Sequence, residues 1–133
     1  MFTQIRTSKE NREVVAFLTR KLSLGTENVI ARIAFSYSLS LDRKLDLNNI
    51  KDSSGKEYSK SVLFGDYYEI YFGLLCVHYG LYITDKDIGR YIKMHIDDGL
   101  QLLQEEVNKR SNTDGFDFLT DKINYGMQSI ASG

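Results

Sequence analysis

Residues 7–41 read Thr7-Ser8-Lys9-Glu10-Asn11-Arg12-Glu13-Val14-Val15-Ala16-Phe17-Leu18-Thr19-Arg20-Lys21-Leu22, then Ser23-Leu24-Gly25, then Thr26-Glu27-Asn28-Val29-Ile30-Ala31-Arg32-Ile33-Ala34-Phe35-Ser36-Tyr37-Ser38-Leu39-Ser40-Leu41. Thr7 and Glu10 stand at the spacing of a capping box, which starts a helix. Within that helix Val14, Val15, Phe17, Leu18 and Leu22 fall on one side at 3.6 residues per turn. Gly25 is placed to end it in the C′ position, and Thr26 to cap a second helix running to about Leu41. Val29, Ile30, Ile33, Ala34, Tyr37 and Leu41 give the second helix one broad apolar face, while Phe35 and Leu39 project from nearly the opposite side. A helix that is apolar on two sides in a chain of 133 residues belongs at the centre of the core, at a subunit interface, or both.

Outward from this pair the chain keeps the same character. Phe2 to Thr7 can alternate as a short strand. Residues 42–64 are the least regular, and Asp52-Ser53-Ser54-Gly55 is a turn signal whose flanks could form a small hairpin. A third helix is expected from Tyr67 to His78, opened by Gly65-Asp66 and ended at Gly80. Thr84 with Asp87 would cap a fourth, striped by Ile88, Ile92, Ile96, Leu100, Leu103 and Val107 and reaching about Arg110. Phe116 to Ile130 reads as a terminal helix. The expectation is an all-α protein with at most a short N-terminal strand and a small hairpin, in a single domain over residues 1–133. The absence of proline agrees, since proline is the strongest helix breaker.

Composition excludes several classes. The single cysteine, Cys76, leaves no disulfide framework and no CxxC site; in its apolar helix it reads as an inert core thiol. The start carries no apolar stretch of a signal peptide, and Ile70 to Tyr79 is too short to span a bilayer. A soluble cytoplasmic protein is the expectation. His78 and His95 have no partner at metal-ligand spacing, so His95 reads as a core or interface residue. Asp97-Asp98 and Glu105-Glu106 read as solvated charge, and the Gly-rich phosphate loops GxxxxGK[ST] and GxGxxG are missing. Neither catalysis, nor a metal, nor a cofactor is expected.

The charge is less neutral than its total of −1 suggests. Residues 1–44 hold eight Lys and Arg against four acids, and residues 45–133 hold nine against fourteen. A basic half and an acidic half point to an anionic partner for the first. On a helical wheel Lys9, Arg12 and Arg20 share roughly an 80° arc opposite the apolar face, and Arg6 extends it. Such a stripe can track a phosphate backbone; alternatively, Glu10 and Glu13 neutralise it as surface pairs. The order strand, helix, glycine turn, helix is also that of ribbon-helix-helix proteins, whose strands pair across a dimer and enter the major groove. In that reading Gln4 and Arg6 would contact bases, as in a repressor or antitoxin. A structural adaptor that never touches DNA is a third reading.

Three segments carry a resemblance. Gly25-Thr26-Glu27-Asn28-Val29-Ile30-Ala31-Arg32-Ile33-Ala34 with Ser38-Leu39 resembles the G-x-T/x-x-N-x-x-x-R-I-A…S-L signature of the DndE family of the bacterial DNA phosphorothioation (DNA sulfur modification) system. Gly55-Lys56-Glu57-Tyr58 through Leu63-Phe64-Gly65-Asp66-Tyr67 is similar to its G-K-E-[FY]…L-x-G-[DE]-[YF] stretch, and His95-Ile96-Asp97-Asp98-Gly99-Leu100 to its H-I-x-x-G-[LI] stretch. They occur in the family's order, and the similarity covers about residues 3–107. The resemblance implies a helical subunit assembled as a homotetramer, binding duplex DNA with a preference for nicked duplex, in partnership with the DndC and DndD proteins. It implies a non-catalytic accessory, the sulfur chemistry being carried by other proteins of the system. Arg6, Lys9, Arg12, Arg20 and Lys21 would then form the DNA-facing surface. Arg32, at a motif position, would contact phosphate or make a structural ion pair.

Overall fold

The computed structural model describes residues 4–110; the expected helix over Phe116 to Ile130 and the first residues of the expected strand lie outside them. The described chain is mainly helical. Helix α1 (Lys9–Leu22) starts one residue later than the capping box requires. Ser8 is the N-cap, its hydroxyl accepting from the Asn11 amide at 3.2 Å. Thr7 is committed to the preceding strand instead: its amide donates to the Lys56 carbonyl, and its hydroxyl accepts from the Lys56 amide at 2.9 Å. At the other end Ser23, not Gly25, takes the left-handed conformation that closes α1, with φ of 52°. Its amide reaches back to the Thr19 carbonyl. Gly25 lies in the linker, where its own φ of +125° is one that side chains disfavour.

Helix α2 (Glu27–Ser40) runs through the centre of the molecule. Ile30, Ala31, Ala34, Phe35 and Ser38 are all fully buried, so its two apolar sides both face core. Phe35 meets Phe64 edge-on at 5.5 Å between ring centroids. The other side lies against α5 (Ile88–Lys109), the longest of the described helices. The predicted α5 stripe is buried throughout, from Ile88 to Val107. The two helices approach so closely at Gly99 that any Cβ there would overlap the Ala34 backbone carbonyl. The expected Thr84 cap does not form; Asp87 occupies the N-cap position, and its side chain makes no capping bond to the helix amides.

The expected local hairpin is replaced by a long-range one. Strand β1 (Gln4–Arg6) pairs antiparallel with β2 (Glu57–Ser59), with Ile5 opposite Tyr58 and Arg6 opposite Glu57. Ile5 and Tyr58 are both buried, so this pairing hides two apolar side chains, which the polar flanks of the 52–55 turn could not. The turn itself is real. The Asp52 carboxylate accepts from the Lys9 amide at 2.8 Å and the Ser54 amide at 3.1 Å. These bonds, the first above all, hold its pKa below the ordinary value. Gly55 follows because a Cβ would strike Thr7 and Ser8. β1 therefore finds its partner within the chain, where a ribbon-helix-helix protein takes it from a second subunit.

After β2 come α3 (Lys60–Phe64), a single 3-10 turn over Gly65–Tyr67, and α4 (Tyr68–Tyr79). Gly80 ends α4 with φ of 68°. Asn28 and Arg32, one turn apart on α2, donate to the carbonyls of Val62 and Leu63 at 3.2 and 3.1 Å. They satisfy the orphan carbonyls at the end of a helix too short to close them itself.

Candidate nucleic-acid interface

The basic residues expected to face DNA separate into three groups. Lys9, Arg12, Arg20 and Lys21 are exposed on α1, and no carboxylate among the described residues pairs with their side chains. Glu10 does not neutralise them; its nearest cation is Lys51, at 3.9 Å. Arg6 is also exposed but gives its Nε–H to Glu57 at 2.8 Å. Arg32 is half-buried and donates from its guanidinium to the Leu63 carbonyl, so it helps to position α3 against α2.

Folding adds a feature that the linear charge count hides. A cleft of about 540 Å³ opens between β1, the 50–53 loop and the start of α5. Arg6, Lys51, Lys86, Arg90 and Lys93 line it, and no acidic or aromatic residue does. Four of the five, all but Arg6, come from the half that is acidic by count.

Two buried polar clusters were not legible in the sequence. In the first, Asp97 is only 3% exposed and Lys93 5%, a correction to the reading of Asp97 as solvated charge. The carboxylate accepts from Lys93 at 2.6 Å, from the Ser8 amide at 3.0 Å and from Asn11 at 2.7 Å. It thereby places negative charge at the N-terminus of α1, where the helix dipole favours it. Asp98 belongs to the second cluster and pairs with Arg43 at 2.8 Å.

That second cluster has a definite proton order. Asp98 can only accept, so the Ser38 hydroxyl donates to it at 2.6 Å. Ser38 then accepts from His95 Nδ1 at 2.9 Å. The remaining ring nitrogen, Nε2, accepts from the Tyr79 hydroxyl at 2.6 Å, and Tyr79 in turn accepts from the Leu45 amide at 3.0 Å. The order is the reverse of an activated serine, because Nδ1 carries a proton and cannot take one from Ser38. Both residues are also fully buried. Among the described residues, no three His, Cys, Asp or Glu side chains converge as a metal site. Cys76 is half-buried, and burial raises its thiol pKa.

Burial, with His78 nearby as a lesser cause, lowers the His95 pKa from 6.5 to about 4. An unfolded chain takes up the proton as pH falls through the ordinary value; the folded chain resists until the lowered one. Stability is therefore complete above about pH 6.5 and falls between there and pH 4. The loss from this group is bounded at about 3 kcal/mol. Urea unfolding at pH 7 and pH 4.5 should show the decline, and His95→Gln should shrink it. An equal decline in both proteins would mean that other groups cause it.

A further surface is apolar. On α4, Ile70 and Val77 are 59% and 84% exposed, with Leu74 half-buried between them. Gly73 on the same face has open space above it. No helix of the described residues is long and apolar enough to cross a membrane.

Fold and surface define a small helical protein with an exposed basic helix face and a cation-lined cleft. A family model described as "DNA sulphur modification protein DndE" matches residues 4–111, and the chain belongs to that family, a component of DNA phosphorothioation. The crystal structure of DndE from Escherichia coli B7A, involved in DNA phosphorothioation modification, superposes with a TM-score of 0.63 at 18% identity, over 77% of this chain and 98% of that one. At that identity the likeness establishes the fold. No curated protein sequence matches the chain.

Proposed function

We propose that this protein is a non-catalytic DNA-binding subunit of the phosphorothioation complex, working in the cytoplasm beside DndC and DndD. The observation that carries the proposal is the exposed set Lys9, Arg12, Arg20 and Lys21, whose side chains have no carboxylate partner among the described residues. Unpaired cations along one helix bind duplex backbone by releasing its counterions, without reading sequence. Arg6 extends this surface. A nick frees the backbone to bend, which would let one strand follow the basic face more closely.

The chain acts as a homotetramer in this reading. The α4 face around Ile70, Gly73, Leu74 and Val77 carries no charge, and its glycine allows close helix approach, so a second copy of the same face suits it. Several copies would multiply a weak patch by avidity. A ribbon-helix-helix repressor is disfavoured because β1 is already paired within the chain.

The test is a retardation assay with intact, nicked and sequence-scrambled duplexes, with sedimentation of the same samples. Reversing Lys9, Arg12 and Arg20 to Glu should abolish retention while leaving the assembly at four chains. Undiminished binding by the variant would overturn the proposal, and binding confined to one palindromic sequence would favour the repressor. A wild-type protein that retains no duplex at low salt would leave the structural adaptor.

A further inference from the structure

The geometry points to the cleft between β1, the 50–53 loop and the start of α5 as a site for the phosphodiester backbone of a nucleic-acid strand. This rests on the proposed DNA-binding role and adds a second backbone contact beside the α1 face. Five cationic side chains converge on about 540 Å³ of space with no acid among the lining residues. A cleft walled by one sign of charge focuses the field inside it, which scattered cations on a convex helix cannot do.

The cations keep donors to spare. Arg6 uses Nε–H on Glu57, and Arg90 uses one terminal nitrogen on Asp87 at 3.3 Å. A guanidinium has five N–H donors, so most of each fork remains for an anion. Lys51 is held only at 3.9 Å from Glu10, and Lys86 is exposed with no ion pair among the described residues. Lys93 gives its ammonium to Asp97 and contributes wall rather than charge. Gly89, in the first turn of α5, also lines the cleft. That turn receives no side-chain cap, so its amides and the positive end of a 22-residue helix add to the same field.

The lining also separates a backbone from a free nucleotide. Sites that hold a base without sequence preference stack it on an aromatic ring, and this cleft has none. It is open to solvent, so a strand can pass through it.

The experiment compares the full chain with the variant K51A/K86A/R90A, all three positions being exposed, and with K9A/R12A/R20A. Duplex affinity is measured by fluorescence anisotropy across a salt series, with AMP as competitor. The cleft variant should lose roughly tenfold or more in affinity, and its log K against log salt slope should become shallower by about 2–3. Thermal melts should match the wild type. If it binds as the wild type does while the K9A/R12A/R20A variant loses binding, the cleft assignment falls and the proposed function stands. If the wild type binds no duplex, both fall. Displacement of duplex by micromolar AMP would make the site one for free nucleotides and overturn the backbone assignment.

Discussion

Gly99→Ala should cost more than about 3 kcal/mol of stability, or prevent folding, although alanine is the better helix former by about 1 kcal/mol. The two effects oppose each other, so the sign of the result is informative. Gly99 sits within α5, where propensity alone favours the substitution. A Cβ there, however, overlaps the carbonyl of Ala34 on α2. The obstacle is backbone, so no rotamer change relieves it, and the two central helices must separate. Overpacking usually costs 1–3 kcal/mol when side chains can shift; here they cannot. Urea unfolding followed by circular dichroism measures it. An unchanged or raised midpoint would mean that α2 and α5 do not cross at this point.

Asp97→Ala should cost about 3–5 kcal/mol, the range for removing one member of a buried pair. The carboxylate answers Lys93, the Ser8 amide and Asn11 together. Its loss leaves a buried ammonium and two donors without an acceptor, and loosens α1 from α5. The double variant Lys93→Met with Asp97→Leu should recover much of the loss, because apolar replacement of a buried ion pair is often tolerated. If Asp97→Ala cost under 1 kcal/mol, the pair would be exposed in solution.

The helices were readable because their periodicity is local. The stripe from Ile88 to Val107 and the two-sided pattern of Ile30, Ala34 and Phe35 placed α5 and α2 without reference to anything distant. The pairing of β1 with β2 was not readable, since Ile5 and Tyr58 meet across half the chain and three-residue strands carry almost no alternation. Cap positions slipped by one to three residues, at the start of α1 for the same reason: Thr7 looks like a cap until the strand at Lys56 claims it.

Charge was the least legible property. Asp97 looks solvated beside Asp98, but which helix face meets α1 decides that one is buried. The division into a basic and an acidic half likewise conceals that Lys51, Lys86 and Arg90 fold back to meet Arg6. The residues that carry the family resemblance do structural work: Asn28 and Arg32 hold α3, Gly55 admits Thr7, and Gly99 admits Ala34. The cations that would meet DNA lie mostly outside those segments, so the resemblance identifies the fold more directly than the interface.

The central claim, that this subunit binds DNA through its backbone, is tested most directly by the salt dependence of wild-type binding to random-sequence duplex. Log K should fall linearly with log salt, by about 0.9 for each phosphate engaged, with scrambled sequences indistinguishable. No binding at low salt, or binding that ignores salt and depends on sequence, would contradict it.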